Sequence, residues 1–256
     1  MLMPIYLCAM HLLRRIFIVL WKSWFIIVFA TISSIFFPVF SYFFGQKHRN
    51  LDLLGWWVRL ACKTICVLSG LIWRIHNKNN FPKPPYIITP NHTSYLDILI
   101  SVVVFPHDFA FMGKAELVNW PFIGPFFKHG IYIPVNRSSL SDSHRAFVKA
   151  GIELDKGRCI VIFPEATIPK HVPRLRSFKN GAFKLAIEKH LPIVPVTFAD
   201  NYRRLQNGGF LKAPASPGRV KVVIHPPEDT HLLGETDIET LKERVKSQIE
   251  KGFDES

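Results

Sequence analysis

The stretch Tyr86–Ile100, which reads YIITPNHTSYLDILI, changes periodicity once, and that change decides the fold class. Its first four residues are aromatic or β-branched, and Pro90 follows them, which favours a short strand that ends at the proline. From Ser94 onward apolar residues recur at helical spacing, and Ser94 followed three residues later by Asp97 fits a helix capping box. The stretch therefore predicts a strand, a turn that contains His92, and a helix.

The same alternation continues along the chain. Further strand patterns lie at 109–113, 130–135, 158–163, 192–198 and 219–225, and further helical patterns lie at 139–157 and 180–190. This alternation predicts an α/β domain, a layered sheet with flanking helices. The tail at 236–252 predicts a packed terminal helix, because four apolar residues fall on one of its faces: Ile238, Leu241, Val245 and Ile249.

Two apolar segments precede this domain. Residues 23–46 contain no charged side chain and exceed the roughly 20 residues that cross a bilayer as a helix. Pro38 would kink such a helix, so the segment either spans the membrane or bends back within one leaflet. Residues 51–73 predict an amphipathic helix whose tryptophans suit the lipid headgroup zone: Trp56, Trp57 and Trp73.

Composition also points to a membrane. Hydrophobic residues make up 48% of the chain, and the formal net charge is +13. Such a charge suits nucleic acid, an anionic leaflet or an acidic substrate, but the basic residues are scattered among loops with no nucleic-acid module, so we expect no nucleic-acid partner. The four cysteines form no CxxC pair, which favours buried thiols over a disulfide framework or a zinc site.

His92 and Asp97 are the first candidates for chemistry. His92 lies in the predicted strand-to-helix turn, and Asp97 lies in the first helical turn, from which its carboxylate can accept the Nδ1 proton of His92. Nε2 would then be free to deprotonate an alcohol that attacks a carbonyl. No GxSxG motif is present, so the pair would activate a hydroxyl of the substrate. By themselves, the same residues are also explained as the end of a strand and the cap of a helix.

Polar residues follow several of the other predicted strands. Lys114 occurs in MGKAEL, Arg137 in IPVNR, and Glu165 and Thr167 in FPEAT. In open α/β sheets, ligands bind at the edge where the carboxyl ends of parallel strands meet. We therefore expect these residues to lie near His92.

These blocks resemble a known family. NHTSYLD resembles the NHxxxxD motif of the glycerolipid acyltransferases, in particular the bacterial 1-acylglycerol-3-phosphate acyltransferases, and IPVNR, FPEAT and LPIVPV are similar to the family's other motifs in the same order. The resemblance covers residues 77–200. Together with the apolar patterns described above, it predicts N-terminal membrane-associated helices at 1–75, a catalytic domain at 76–228 and a C-terminal amphipathic helix at 229–256.

The resemblance also implies roles for single residues. His92 would be the general base and Asp97 its orienting partner, while Arg137 would bind the phosphate of the acceptor. Glu165 and Thr167 would also bind the acceptor, and Lys114 would contact an anion or the developing oxyanion. This chain departs from the pattern at three positions: Ala166 replaces the usual glycine, and Ile168 and Pro169 stand where a basic residue and a serine often follow.

The resemblance implies acyl transfer from acyl-carrier protein or coenzyme A to the sn-2 hydroxyl of lysophosphatidate, without a further cofactor, at the cytoplasmic face of the inner membrane. Another lysolipid, such as a lyso-aminolipid, is the alternative acceptor. A membrane-anchored binding protein is a second alternative. A metal-dependent hydrolase would need His92 together with His107, His129 or His144, and these histidines show no ligand spacing.

Overall fold

The computed structural model describes residues 3–254. The α-helices of this part of the chain, α1 to α8 in order, are Met3–Gly45, Leu51–Leu68, Leu96–Val104, Gly124–Lys128, Leu140–Asp155, Gly181–Lys189, Asn201–Arg204 and Ile238–Asp254. The strands, β1 to β7 in order, are Leu71–His76, Ile87–Pro90, Phe109–Lys114, Ile133–Val135, Cys159–Val161, Ile193–Phe198 and Gly218–Ile224. Short 3-10 turns occupy Lys78–Asn80, Ala115–Asn119 and Glu235–Asp237.

The strands form one mixed sheet in the order β1-β7-β6-β2-β5-β3-β4. The five strands from β6 to β4 are parallel, whereas β7 runs antiparallel to β6 and β1 runs parallel to β7. The carboxyl ends of β2 to β6 therefore meet at one edge of the sheet. The predicted α/β layered sheet is confirmed.

Helices cover both faces of the sheet, so its central strands are buried on both sides, as is usual for parallel sheets. Ile87 of β2 belongs to the apolar cluster shared with α5, α6 and α8, while its neighbour Ile88 belongs to the cluster shared with α1, α2 and α3. The terminal helix α8 packs as predicted, with Leu241, Val245 and Ile249 fully buried.

The predicted amphipathic helix at 51–73 is too long by five residues. Helix α2 ends at Leu68, and Gly70 adopts a φ of 68°, a left-handed conformation that glycine takes readily at helix C-termini. The next residues form β1, in which Trp73 pairs with Val220. Trp73 therefore belongs to the sheet and not to the helix, and a domain boundary at residue 75 falls inside β1.

Helix α1 is continuous through Pro38. Its segment from Met10 to Gly45 contains an 18-residue window with a mean hydropathy of 2.0, so by length and composition this helix could cross a membrane. One side of α1 packs on α2 and on the sheet domain, burying Trp21, Val28 and Phe40. The side facing away from the protein is apolar as well.

Candidate active site

His92 and Asp97 are joined by a hydrogen bond of 2.9 Å between Nδ1 of His92 and Oδ2 of Asp97. His92 follows β2, and Asp97 lies in the first turn of α3. The side chain of His92 is 14% exposed, whereas that of Asp97 is fully buried. Because a carboxylate can only accept here, Nδ1 carries a hydrogen, and the tautomer that this selects for a neutral imidazole has its lone pair on Nε2.

Four hydrogen bonds hold the Asp97 carboxylate in place. Oδ2 also accepts from the backbone amides of Thr93 at 2.6 Å and Ser94 at 2.9 Å, and Oδ1 accepts from Nδ2 of Asn201 at 2.7 Å. Only one of the two hydrogen bonds of the predicted capping box forms. Asp97 accepts from the Ser94 amide, but the Ser94 hydroxyl accepts from the amide of Leu96. Asp97 can therefore cap the helix and hold His92 at the same time, because its carboxylate accepts hydrogen bonds from both.

The FPEAT segment packs directly on His92. The ring of Phe163 lies 4.3 Å from the imidazole ring, measured between centroids. Buried Glu165 accepts from the His92 amide through Oε1 at 2.8 Å and from the Arg176 amide through Oε2 at 2.9 Å. Burial raises the pKa of the Glu165 carboxyl, and the two amide donors oppose this in part. Glu165 therefore connects the turn at His92 to the loop at Arg176.

The other predicted site residues lie at the rim of the same sheet edge. Arg137 follows β4, and its Nη1 donates to the carbonyl of Ala166 in FPEAT. Lys114 ends β3 and pairs with Glu116 at 2.8 Å, with both side chains in solvent. Thr167 is exposed, and its hydroxyl donates to the carbonyl of Ile168 at 3.2 Å. Arg137 and Thr167 thus lie at the FPEAT turn, whereas Lys114 has an acidic partner of its own.

Ala166 has a φ of 64°. The glycine that this residue replaces in the resembling family would adopt this left-handed conformation freely, whereas a side chain costs about 1–2 kcal/mol there. The FPEAT turn therefore keeps the backbone shape of a glycine turn despite the substitution.

Comparison with known proteins agrees with this geometry. The family model described as acyltransferase matches residues 72–199, which is half of the chain. A 1-acyl-sn-glycerol-3-phosphate acyltransferase from Borreliella burgdorferi is 32% identical over 197 residues, 76% of this chain and 76% of that protein. The chain belongs to the acyltransferase family.

Other relatives of this acyltransferase include a 1-acyl-sn-glycerol-3-phosphate acyltransferase from Pseudomonas aeruginosa, 27% identical over 225 residues that cover 87% of this chain and 83% of that protein. The crystal structure of the 1-acyl-sn-glycerophosphate acyltransferase from Thermotoga maritima superposes with a TM-score of 0.73 at 21% identity. That match covers 95% of this chain and 96% of the other, so the two proteins share a fold.

Two asparagines that the sequence analysis did not select organise the site of this acyltransferase. The side-chain amide of Asn91 accepts from the Phe198 amide at 2.7 Å and donates to the Phe198 carbonyl at 3.2 Å, which fixes the turn before His92 against β6. Asn201 follows β6 and donates to Asp97. The rule that selected the other polar residues, a position just past a strand, would also have found Asn201.

We expect Asn201→Ala to lower kcat about tenfold with little change in KM, because a hydrogen bond to a charged group is worth about 1.5–3 kcal/mol and Asn201 holds Asp97, which in turn holds His92. Asn201→Asp should lower kcat further at neutral pH, because it places a second carboxylate beside Asp97. The kcat of this variant should recover partly as the pH falls. Steady-state kinetics across pH, with Tyr202→Phe as the neighbouring control, measure both effects. Wild-type kcat in both Asn201 variants would show that Asp97 needs no such support.

Proposed function

We propose that the protein transfers a fatty acyl group from an acyl thioester, carried by acyl-carrier protein or coenzyme A, to the sn-2 hydroxyl of lysophosphatidate, giving phosphatidate. The observation that carries this proposal is the His92–Asp97 pair, whose imidazole is partly exposed at the sheet edge to which Arg137 also belongs. The relatives, which are named as 1-acyl-sn-glycerol-3-phosphate acyltransferases, support lysophosphatidate as the acceptor.

The proposed reaction proceeds without an acyl-enzyme. Nε2 of His92 takes the proton of the sn-2 hydroxyl while that oxygen attacks the thioester carbonyl, and Asp97 stabilises the imidazolium that forms. Collapse of the tetrahedral intermediate breaks the carbon–sulfur bond, and the leaving thiolate takes the proton from Nε2. Each turnover thus produces one ester and one thiol.

The cysteines support direct transfer. Cys66 and Cys159 are buried, and burial raises the pKa of the Cys159 thiol to about 11. A thiol attacks a carbonyl as its thiolate, which Cys159 does not form at neutral pH. Neither of these two thiols suits an acyl-enzyme, which favours direct transfer to the acceptor in a ternary complex.

Arg137 is the proposed partner of the acceptor phosphate. A guanidinium has five N–H donors in a planar fork, so Arg137 can bond the Ala166 carbonyl and a phosphate together. Ile168 stands where a basic residue is usual, but the amides of Arg176 and Lys179 bond Glu165 and Pro164 and hold two further cationic residues near the FPEAT turn. We propose that these two cationic residues take the place of the basic residue that is absent at position 168.

The proposed location is the cytoplasmic face of the inner membrane, with α1 in one leaflet. Phe29 and Phe37 of α1 both pack edge-to-face on Phe122, and Phe40 packs on Phe126. The sheet domain therefore lies alongside the part of α1 that runs from Phe29 to Phe40. If this part of α1 crossed the bilayer, it would draw the domain into the hydrocarbon region. An in-plane helix buries its outward apolar face and leaves the catalytic edge in water.

We expect Arg137→Ala to raise KM for lysophosphatidate about tenfold or more while kcat changes little, because a charge-assisted phosphate contact is removed. The effect should be absent for a lysolipid without phosphate, so an acceptor screen tests the substrate class at the same time. Arg145→Ala, which removes an exposed arginine paired with Asp142, is the control. An unchanged KM in Arg137→Ala, or faster turnover of a phosphate-free lyso-aminolipid, would contradict this assignment.

A further inference from the structure

The loop at residues 206–213, which reads QNGGFLKA, exposes two adjacent large apolar side chains. Phe210 is 42% exposed and Leu211 is 67% exposed, and Lys212 follows them in solvent. Single exposed apolar residues are common on soluble proteins, but a phenylalanine and a leucine at the tip of one loop form a patch that needs a partner.

The loop is held against α1 by a buried lysine. Lys22 is 4% exposed, and its ammonium donates to the carbonyls of Gly209 at 3.0 Å, Phe210 at 2.8 Å and Ala213 at 2.6 Å. An ammonium has three donors, and all three are used here, which offsets the cost of removing the charge from water. The position of the loop beside α1 is therefore specified and not incidental.

The same turn of α1 also reaches the end of α2. Nε1 of Trp21 donates to the carbonyl of Ser69 at 3.1 Å, and Nε1 of Trp24 donates to that of Leu68 at 2.9 Å. The three segments that these bonds join each carry exposed apolar side chains: Leu20, Trp24, Val67, Leu68, Phe210 and Leu211. Tryptophan and lysine beside apolar residues are typical of the lipid headgroup zone.

The base of this loop is bonded to the catalytic turn. The hydroxyl of Ser94, in the NHTSYLD motif, donates to the carbonyl of Leu205 at 2.6 Å, and Ser94 pairs with Gln206 in an isolated bridge. Helix α7, which immediately precedes the loop, begins with Asn201, the residue that donates to Asp97. A lipid surface at the loop would thus lie close to the His92–Asp97 pair.

We propose that the 206–213 loop is a second membrane-contact element, which inserts Phe210 and Leu211 into the headgroup zone of an anionic leaflet beside α1. The loop is bonded to α1, which itself exposes apolar side chains, and Lys212 and the net charge of +13 complement anionic lipid. This inference rests on the proposed seating of α1 in one leaflet. It gives the acceptor a short path from the leaflet to His92.

Fluorescence quenching by brominated phosphatidylglycerol vesicles tests the loop directly and needs no catalysis. Leu211→Trp adds a reporter at the loop tip, and Leu232→Trp adds one at a 93% exposed leucine in the turn before α8. The six native tryptophans are common to both variants and to the parent. We expect the fluorescence added at position 211 to be quenched at least about twice as strongly as that added at position 232.

The parent protein separates the two proposals. Equal quenching of the two added reporters, with the native tryptophans of the parent quenched, would overturn the role of the loop and leave the seating of α1 intact. No quenching in the parent or in either variant would overturn both.

A double variant provides a second readout. Phe210→Ser with Leu211→Ser should raise the ratio of KM for lysophosphatidate in vesicles to KM for a monomeric short-chain acceptor about tenfold, because the apolar anchor is lost. Leu232→Ser should leave this ratio unchanged, and thermal unfolding shows whether the double variant is folded. A wild-type ratio in a folded double variant would contradict the proposal.

Discussion

His92→Ala should lower kcat for acyl transfer by about a thousandfold, since a positioned general base contributes about 10²–10⁴-fold. The structure gives the reason: Nδ1 of His92 is fixed on buried Asp97, and the imidazole is partly exposed at the catalytic edge. Thiol release from an acyl thioester in the presence of lysophosphatidate measures the loss. Binding of lysophosphatidate should be largely retained.

The matched control is His144→Ala, which removes an exposed histidine on α5 and should retain wild-type turnover. His144 is also one of the histidines that a metal-dependent hydrolase would have recruited. More than a few per cent of wild-type activity in His92→Ala would show that another group removes the acceptor proton.

Glu165→Gln should lower kcat about ten- to a hundredfold and lower the unfolding temperature. Both carboxylate oxygens of Glu165 accept from backbone amides, and glutamine can offer an oxygen to only one of them. An unpaired buried N–H costs about 1–3 kcal/mol, and the turn that carries His92 shifts as it seeks another partner. Kinetics and thermal unfolding of the same preparation measure both effects.

This variant also separates two roles for Glu165. The family resemblance implies contact with the acceptor, which predicts a higher KM for lysophosphatidate at normal kcat and normal stability. The buried position predicts the reverse, with kcat and stability reduced and KM little changed. Glu188→Gln, at an exposed position on α6, should alter neither quantity.

The sheet could be predicted because most of its strands carry local signals. β2, for example, is short, apolar and closed by Pro90. β1 was missed because its sequence LIWRIH follows an apolar helix closely, and only Ser69 and Gly70 separate the two elements. Continuous apolar character looks the same in a buried strand and in an amphipathic helix, so length and glycine position must decide.

Of the contacts at the candidate site, the local one could be predicted and the long-range ones could not. The spacing of His92 and Asp97 is local, and the structure confirms their hydrogen bond. Asn201 reaches Asp97 across 104 residues, and no local pattern reveals such a pair. The sequence also shows that a carboxylate follows β5 at Glu165, but only the fold turns that carboxylate toward two backbone amides.

The most direct test of acyl transfer to lysophosphatidate measures free thiol and diacyl product together, from purified protein in detergent supplied with an acyl thioester, with and without lysophosphatidate. Direct transfer predicts equal amounts of thiol and phosphatidate when the acceptor is present, no burst of thiol when it is absent, and loss of both products in His92→Ala. Absence of phosphatidate, or a stoichiometric burst of thiol without acceptor, would contradict direct transfer to lysophosphatidate.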